Sequence, residues 1–401
     1  MEVKPMYRTM KVPFSASAVT IQKLFDIRRL CAVVWNDCVQ IARYYYRLGG
    51  GWITKSDLQR EVKGLYPLHS QTIQAVAHKF LQAREGAQKA RKAGFNVSYP
   101  WRHKFVFNPK WVGQSFTLQG KNITLSLGIW NGKRQPRLTL KLSKVPPENV
   151  KEVELVYEQK WFICLSYETN IEEESPKQQG ITTSIDPGEI HTIASVTKNG
   201  DSLVITGRYL RSIHRLRNKK LKELQKLMSR CQKGSRQWRK YNRAKKYVLS
   251  KSEEQLKDAL HKTTKQFVDW CLQHDVNSVI IGDVEGVQRH TKKKRSKKMN
   301  QKLSNWSFGK LYALLVYKLK ARGMTIEKVD EHFTSQTCPV CGNRKKGSHR
   351  TYQCQCGYKE HRDLHGARNT LTKQLYGKMI YYPLHDPIYL RPTYLQPAVS
   401  A

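Results

Sequence analysis

Glu331-His332-Phe333-Thr334-Ser335-Gln336-Thr337-Cys338-Pro339-Val340-Cys341, followed by Cys354-Gln355-Cys356-Gly357 and His361-Arg362-Asp363, is the stretch on which the reading of the chain turns. Cys338-x-x-Cys341, twelve intervening residues and Cys354-x-Cys356 form two knuckles. Their four thiolates suit one tetrahedral zinc ion at about 2.3 Å from each sulfur. Four cysteines leave no position open for substrate, so this zinc is expected to be structural. Two carboxylates, Glu331 and Asp363, bracket the cluster, and chemistry falls to groups of that kind.

The composition names the partner class. The 401 residues hold 72 Lys plus Arg against 31 Asp plus Glu, a formal charge of +41. Cations spread along the whole length point to a polyanion, and nucleic acid is favoured over a membrane because no apolar run of about 20 residues is present. Two or three domains are expected at this length. Cys31, Cys38, Cys164, Cys231 and Cys271 are scattered through apolar or helical patterns and read as buried free thiols, not as a disulfide framework. The first residues lack the apolar segment of a secretory signal, so the expected location is the cytoplasm, associated with the nucleoid when bound to DNA.

In chain order, residues 6–12 alternate as a strand that Pro13 should end, and residues 18–48 carry apolar side chains at helical spacing up to Gly49-Gly50-Gly51. A second helix is expected over residues 70–90 with Ser70 as N-cap. Residues 95–169 change texture to short strands and turns, a small barrel to which the first strand could belong. Tyr99, Trp101, Arg102, His103 and Lys104 interleave rings with cations and suit nucleic-acid binding, with ordinary packing of the tryptophan as the alternative. A linker is read over 170–180. Ile181 to Asp186 is then a strand that delivers a carboxylate to a Pro-Gly turn. A long basic helix follows over 209–251, broken at Gly234-Ser235, with a second helix over 253–271. Arg215, Lys219, Lys220, Arg236, Arg239 and Lys240 on the basic part are assigned to nucleic acid, since one-signed charge on a helix repels itself unless a phosphate chain lies against it. A buried strand over 276–281, a basic loop over 289–298, a helix around Leu311 to Leu319 and a strand over 325–329 lead back to the cysteines.

Hydrolysis of a phosphodiester needs an activated water and a stabilised leaving oxygen, which two Mg²⁺ ions about 4 Å apart supply when Asp and Glu side chains hold them. Three acids at strand or helix ends suffice, with Asp186 and Asp363 as first and last. Asp363 opens a helix of small residues, Gly366-Ala367-Arg368-Asn369, able to pack closely on a sheet.

The order Ile185-Asp186-Pro187-Gly188, Leu260-His261-Lys262, Trp306-Ser307-Phe308, Thr334-Ser335-Gln336-Thr337-Cys338-Pro339-x-Cys341-Gly342 and His361-Arg362-Asp363-x-x-Gly366-Ala367-x-Asn369 resembles TnpB, the transposon-encoded RNA-guided nuclease related to type V CRISPR effectors and Fanzor. The resemblance implies an α/β fold with all-β and α-helical parts. Residues 1–15 would be the first strand of an oligonucleotide-binding-type wedge barrel, 16–93 an inserted helical recognition domain and 94–169 the rest of the barrel. After the linker, 181–332 would be a RuvC-like nuclease of RNase H fold with a basic helical insertion, 333–360 a zinc ribbon, 361–376 the last nuclease helix and 377–401 a tail. It implies an Mg²⁺-dependent endodeoxyribonuclease, monomer or dimer, whose guide RNA directs cleavage of double-stranded target DNA beside a short motif read by the protein. Alternatives are a nuclease-dead RNA-guided repressor and a miniature type V CRISPR effector.

Two positions depart from the pattern. Gly282 stands where many relatives have a glutamate, and Asp283 points to the opposite side of the sheet. Glu331 takes the third place in the catalytic set Asp186, Glu331 and Asp363, ahead of Asp283 or Glu285. His365-Gly366 stands where Asn-Ala is common.

Overall fold

The computed structural model describes residues 6–49, 51–169, 175, 177, 179–284, 296–346 and 349–392, with 297–299 in backbone only. Glu285, all but the end of the basic loop and much of the linker lie outside the described residues. Two compact units result, Met1–Glu172 and Glu173–Ala401.

In the first unit, strand β1 (Met6–Ser15) precedes helices α1 (Ala18–Arg47), α2 (Lys55–Val62) and α3 (Ser70–Lys92). The strands β2 (Lys110–Val112), β3 (Phe116–Gln119), β4 (Asn122–Leu125), β5 (Ile129–Trp130), β6 (Lys133–Arg134), β7 (Leu138–Leu142), β8 (Val150–Tyr157) and β9 (Trp161–Thr169) follow. Seven of these nine strands make one sheet in the order β2-β8-β9-β1-β7-β4-β3, a nearly closed barrel. Pro13 does not end β1. It stands where the strand leaves β9, paired over Met6 to Pro13, and passes to β7 at Phe14 and Ser15, so the missing N–H falls at the handover.

Ser17 caps α1 by accepting the Thr20 N–H at 3.2 Å, and Leu24, Ile27, Cys31, Val34, Trp35, Cys38 and Val39 bury one face of it. Helix α3 is capped by His69, whose Nδ1 accepts the Gln71 N–H at 3.2 Å, so Ser70 is the first helical residue and not the cap. Helix α2, which the sequence left unmarked, is held by Thr54. Burial pushes the Cys31 and Cys38 thiols up to about 12, in keeping with inert core residues, whereas Cys164 and Cys231 are only half-buried.

The second unit is a mixed α/β layer built on β10 (Ile181–Asp186), β11 (His191–Thr197), β12 (Ser202–Thr206), β13 (Val276–Gly282) and β14 (Thr325–Val329). Between these strands run α4 (Arg208–Ser229), α5 (Arg236–Gln273), α6 (Lys297–Asn305) and α7 (Phe308–Lys320). Strands β15 (Thr351–Gln353) and β16 (Lys359–His361), helix α8 (Arg362–Tyr376) and β17 (Ile388–Leu390) complete it. The six-stranded order is β14-β13-β10-β11-β12-β17, with β10, β13 and β14 parallel neighbours. Helices α5 and α7 cover one face, where Phe267, Trp270, Leu311 and Leu315 meet Ile185, Ile193 and Ile281. Helix α8 covers the other, where Leu364, Ala367 and Leu371 meet Ala194, Ile280 and Val329. The interruption expected between two helices at 251–253 is absent, and α5 runs unbroken for 38 residues. No Gly or Pro falls there, and Ser252 satisfies its hydroxyl on the Leu249 carbonyl at 2.9 Å without leaving the helix. Among the described residues no helix is long and apolar enough to cross a membrane.

Candidate metal centre and nucleic-acid interface

Three parallel strands end at one edge of the sheet, the edge at which α/β sheets commonly bind ligands. Strand alternation decides which face each terminal residue takes. Ser184 donates its hydroxyl to the Ala367 carbonyl of α8 at 2.6 Å, so Asp186, two residues on, looks toward α8 as well. Ile280 packs on the α8 side and Ile281 on the other, which puts residue 282 beside Asp186 and residue 283 opposite. Val329 lies in the α8-side core, and Glu331 follows it by two.

At Gly282 an added Cβ would lie 2.0 Å from Glu331 Oε2 and 2.9 Å from its Cδ. The carboxylate of Glu331 therefore fills the space a side chain on residue 282 would take. Gly366 stands to Asp186 in the same way, with a Cβ falling 2.4 Å from Asp186 Oδ2. Both departures from the family pattern thus make room for a carboxylate. Asp283 is exposed and its N–H is held by the Val329 carbonyl at 2.8 Å.

Neighbouring residues fix these acids. The buried Asn369 of α8 donates to the Thr334 and Thr337 carbonyls, each at 2.8 Å, tying the helix of Asp363 to the turn of Glu331. Thr334 closes that turn, its N–H and hydroxyl both on the Glu331 carbonyl at 3.2 and 2.9 Å. Phe333 sits there at φ 63°, a left-handed conformation costing a non-glycine residue about 1–2 kcal/mol. His191 Nδ1 and Asp363 Oδ2 are 2.6 Å apart, and Arg350 approaches the same oxygen at 3.9 Å.

Sequence alternation hides His191, because simple period-2 reading sends it to the face of Ile193. A bulge between His191 and Ile193 turns it toward Asp363 instead. The turn before it needs Gly188, where a Cβ would meet the His191 carbonyl at 2.6 Å.

Burial, then the charges of Glu331 and Asp363, push the Asp186 carboxyl well above the usual range, with Arg362 pulling the other way. Burial, then Asp283 and Asp330, bring Glu331 up to about 7. Burial also raises Asp363, but the hydrogen bond and charge of His191, with His361 and Arg350, outweigh it and leave that carboxyl lowered. Such a set of crowded carboxylates favours a cation. His191, His361 and Asp363 also bring one ligand atom each within 4.8 Å of one another, and His361 Nδ1 is buried with no hydrogen-bond partner. A cavity of about 310 Å³ lined by Gly188, Glu189, His349, Arg350, Arg362 and Asp363 opens at this point.

The four cysteine sulfurs lie within 4.8 Å of one another, with Cys338 and Cys356 at 3.6 Å and Cys341 and Cys354 at 3.5 Å. Tetrahedral zinc thiolates stand about 3.8 Å apart, so the set fits that ion. Backbone N–H groups at Val340 and Cys341 point at the Cys338 sulfur, Asn343 at Cys341 and Cys356 at Cys354, each favouring a thiolate. Burial nevertheless pushes the Cys338 thiol up to about 12, the neighbouring sulfurs raise Cys341 against the Asn343 N–H, and the Cys356 N–H brings Cys354 down to about 7. Strand β16 of this small sheet runs straight into α8. Arg368, fully buried, pairs with Glu360 of β16 and adds a second tie between them. His365 stacks on Tyr352 at 4.0 Å, and burial lowers it to about 3, so it stays neutral.

Of the residues assigned to nucleic acid, Arg102, His103, Arg215, Lys219, Lys220, Arg236, Arg239 and Lys240 are exposed. Tyr99, Trp101 and Lys104 are instead engaged within their own unit. Trp101 stacks on Trp52 at 5.6 Å with Arg43 over its ring, Tyr99 meets Trp52 at 4.7 Å, and Lys104 Nζ lies 3.2 Å from the Trp35 ring centre. Burial, with Lys79 nearby, lowers the Lys104 ammonium to about 8.

Residues 162–288 match the family described as a probable transposase, OrfB_IS605, and residues 308–370 match the Cas12f1-like TNB domain. The chain carries TnpB-like and Cas12f1-like domains. The TnpB-like protein MJ0751 of Methanocaldococcus jannaschii is 27% identical over 172 residues, 42% of this chain and 59% of that protein. The CRISPR-associated endodeoxyribonuclease Cas12f1 of Sulfoacidibacillus thermotolerans is 26% identical over 128 residues, 29% of this chain and 28% of that one. The chain thus spans under two thirds of either relative. Its fold is that of the protein in a Cas12f1–sgRNA–target DNA complex, with a TM-score of 0.65 at 14% identity, covering 91% of this chain and 98% of that one.

Proposed function

We propose that the protein is an RNA-guided DNA endonuclease whose RuvC-like centre consists of Asp186, Glu331 and Asp363. The observation that carries this is the Glu331 carboxylate seated in the side-chain space of Gly282. It restores, from the next strand end, the acid that the RNase H arrangement of strands needs at residue 282. The sheet order, with β11 antiparallel to β10 and β12 antiparallel to β11 on one flank and the parallel strands β13 and β14 on the other, supports that arrangement.

The three carboxylates would hold Mg²⁺, which when bound supplies an activated water and stabilises the leaving oxygen. The chain's own residues do the rest. His191 orients Asp363 through its 2.6 Å contact, while Arg350 and Arg362 at the mouth of the cavity pair phosphate oxygens of the strand to be cut. Exposed cations of α4 and α5 hold the nucleic-acid backbone, and the cysteine cluster holds structural zinc that sets the lead-in to Asp363. The Cas12f1 relative is an endodeoxyribonuclease and the complex of like fold contains sgRNA and target DNA, which supports guide RNA and DNA as partners. A short DNA motif read by the protein, a monomeric or dimeric state and a cytoplasmic location belong to the same reading.

The test is to purify the protein with its bound RNA, sequence that RNA, and incubate the complex with a matching plasmid with and without Mg²⁺. Cutting only with Mg²⁺ and a matching target is expected. Target binding without cutting would replace this reading with that of a guide-directed repressor.

A further inference from the structure

Phe105 is 94% exposed, a phenyl ring standing almost wholly in solvent. Leaving such a ring in water forgoes about 1.5–3 kcal/mol of burial, and a loose loop would normally fold it back. Here the backbone around it is not loose. The Trp101 carbonyl accepts from Arg43 at 3.1 Å and the Arg102 carbonyl from Trp35 Nε1 at 3.2 Å. Asn36 clasps Lys104 from both sides, accepting its N–H at 2.8 Å and donating to its carbonyl at 3.0 Å. The Phe107 N–H donates to the Arg28 carbonyl at 3.0 Å.

Helix α1 thus grips the chain on both sides of residue 105 through five hydrogen bonds. The side chains next in line are anchored too: the Lys104 stem lies over Trp35, and Phe107 is buried and stacked on Trp35 at 5.3 Å. The ring is a rigid projection from a braced loop.

Its surroundings select the occupant. Arg102 and His103 are exposed within three residues of it, and Lys79 of α3 is exposed and close enough for its charge to act on Lys104. A protein surface that docks an apolar ring has no need of this cationic collar, whereas a nucleic-acid strand offers a flat base to the ring and phosphates to the collar.

We propose that Phe105 is a wedge that stacks on an unpaired nucleobase, with Arg102 and His103 gripping the adjoining phosphates. This rests on the nucleic-acid reading above but not on cleavage. It also moves the stacking role from Trp101, which serves as internal packing, to the ring that the packing braces.

The test uses the purified full chain and single-stranded DNA and RNA oligonucleotides carrying 2-aminopurine, titrated at several salt concentrations. Phe105→Ala should weaken binding by roughly ten-fold or more and abolish the change in 2-aminopurine fluorescence. It should leave the slope of log affinity against log salt unchanged, because no phosphate contact is lost. Phe105→Trp should keep both affinity and fluorescence change, and Arg102→Ala should lower the salt slope by about one. The larger loss, in the DNA or the RNA arm, identifies the strand. A ring so exposed contributes little to folding, so the melting temperature of Phe105→Ala should match the parent. Wild-type binding with Phe105→Ala indistinguishable from it would remove the wedge alone. No binding by the parent would remove the nucleic-acid reading as well, and loss of self-association in place of oligonucleotide binding would make the ring a contact between copies.

Discussion

The cysteine cluster and the carboxylate cluster lie close in sequence at their boundaries yet are built on opposite principles. The four cysteines come from residues 338–356, and backbone N–H groups of that same short segment reach the sulfurs of Cys338, Cys341 and Cys354. The three acids come from strand ends and a helix start spread over residues 186–363; burial first, and then neighbouring carboxylates, Glu331 and Asp363 for Asp186 and Asp283 and Asp330 for Glu331, push two of them upward. One cluster is local, its backbone contacts coming from its own segment. The other is assembled from afar and poised against itself, so that a cation relieves what the fold imposes. Such opposition is the ordinary mark of a site held ready for a ligand, as against one that holds the fold together.

The sharpest way to break the contrast is to remove an acid without touching the cysteines. Asp363→Ala should reduce plasmid cleavage by at least about 1000-fold, while its melting temperature and zinc content, read by scanning calorimetry and metal analysis, stay near the parent values. Cleavage that survives would remove Asp363 from the centre.

Gly282→Ala asks whether the space under Glu331 matters. A Cβ there meets Glu331 Oε2 at 2.0 Å, so the carboxylate must move. Cleavage should fall about 100-fold with a stability loss of about 1–3 kcal/mol in urea melts. Gly282→Glu should be no better, despite supplying the acid common in relatives, unless Glu331 is removed in the same variant.

Removing the buried charge of Glu331 should have the opposite sign on stability. Glu331 titrates near 7 in the folded chain and near 4.5 when unfolded, so the folded state holds its proton more tightly. Its contribution is most favourable at or below pH 4.5 and is lost as pH rises through 7. In chelator at pH 8, Glu331→Gln should therefore be more stable than the parent by about 1–3 kcal/mol, although it cuts poorly. The gain should shrink at pH 5 and when Mg²⁺ is restored to the parent. A thermal-melt series over pH that shows no difference would mean that neither the burial of this charge nor its acidic neighbours are felt.

The smallest effect is expected at His191. His191→Asn should lower the rate about ten-fold and raise the Mg²⁺ concentration needed for half-maximal cleavage, since it orients a ligand without being one of the three acids. An unchanged Mg²⁺ requirement would reduce the histidine to a packing role.

What sequence could and could not convey follows the same contrast. The cysteine spacing was legible because all its information is local. Asp186 and Asp363 were legible as ends of recognisable elements, and Glu331 through the resemblance. The reason for Gly282 and Gly366 was not, because each glycine answers to a carboxylate from a distant segment. His191 stayed hidden because a bulge has no signature in hydrophobic alternation. Trp101 and Lys104 looked available since aromatic and cationic residues in an irregular segment read alike whether they brace or bind, and only the contacts with α1 and Trp52 separate the two.

Asn369 carries one consequence of a different kind. By holding both the Thr334 and Thr337 carbonyls to α8, it pins the departure and the return of the chain on either side of the cysteine excursion. The path length between those pins is then free to vary without altering where Glu331 and Asp363 stand. The stretch after Cys341 and ahead of His349, which leaves Arg350 beside Asp363 and Tyr352 on His365, is accordingly the place where a foreign segment can be grafted with the proposed centre left in register.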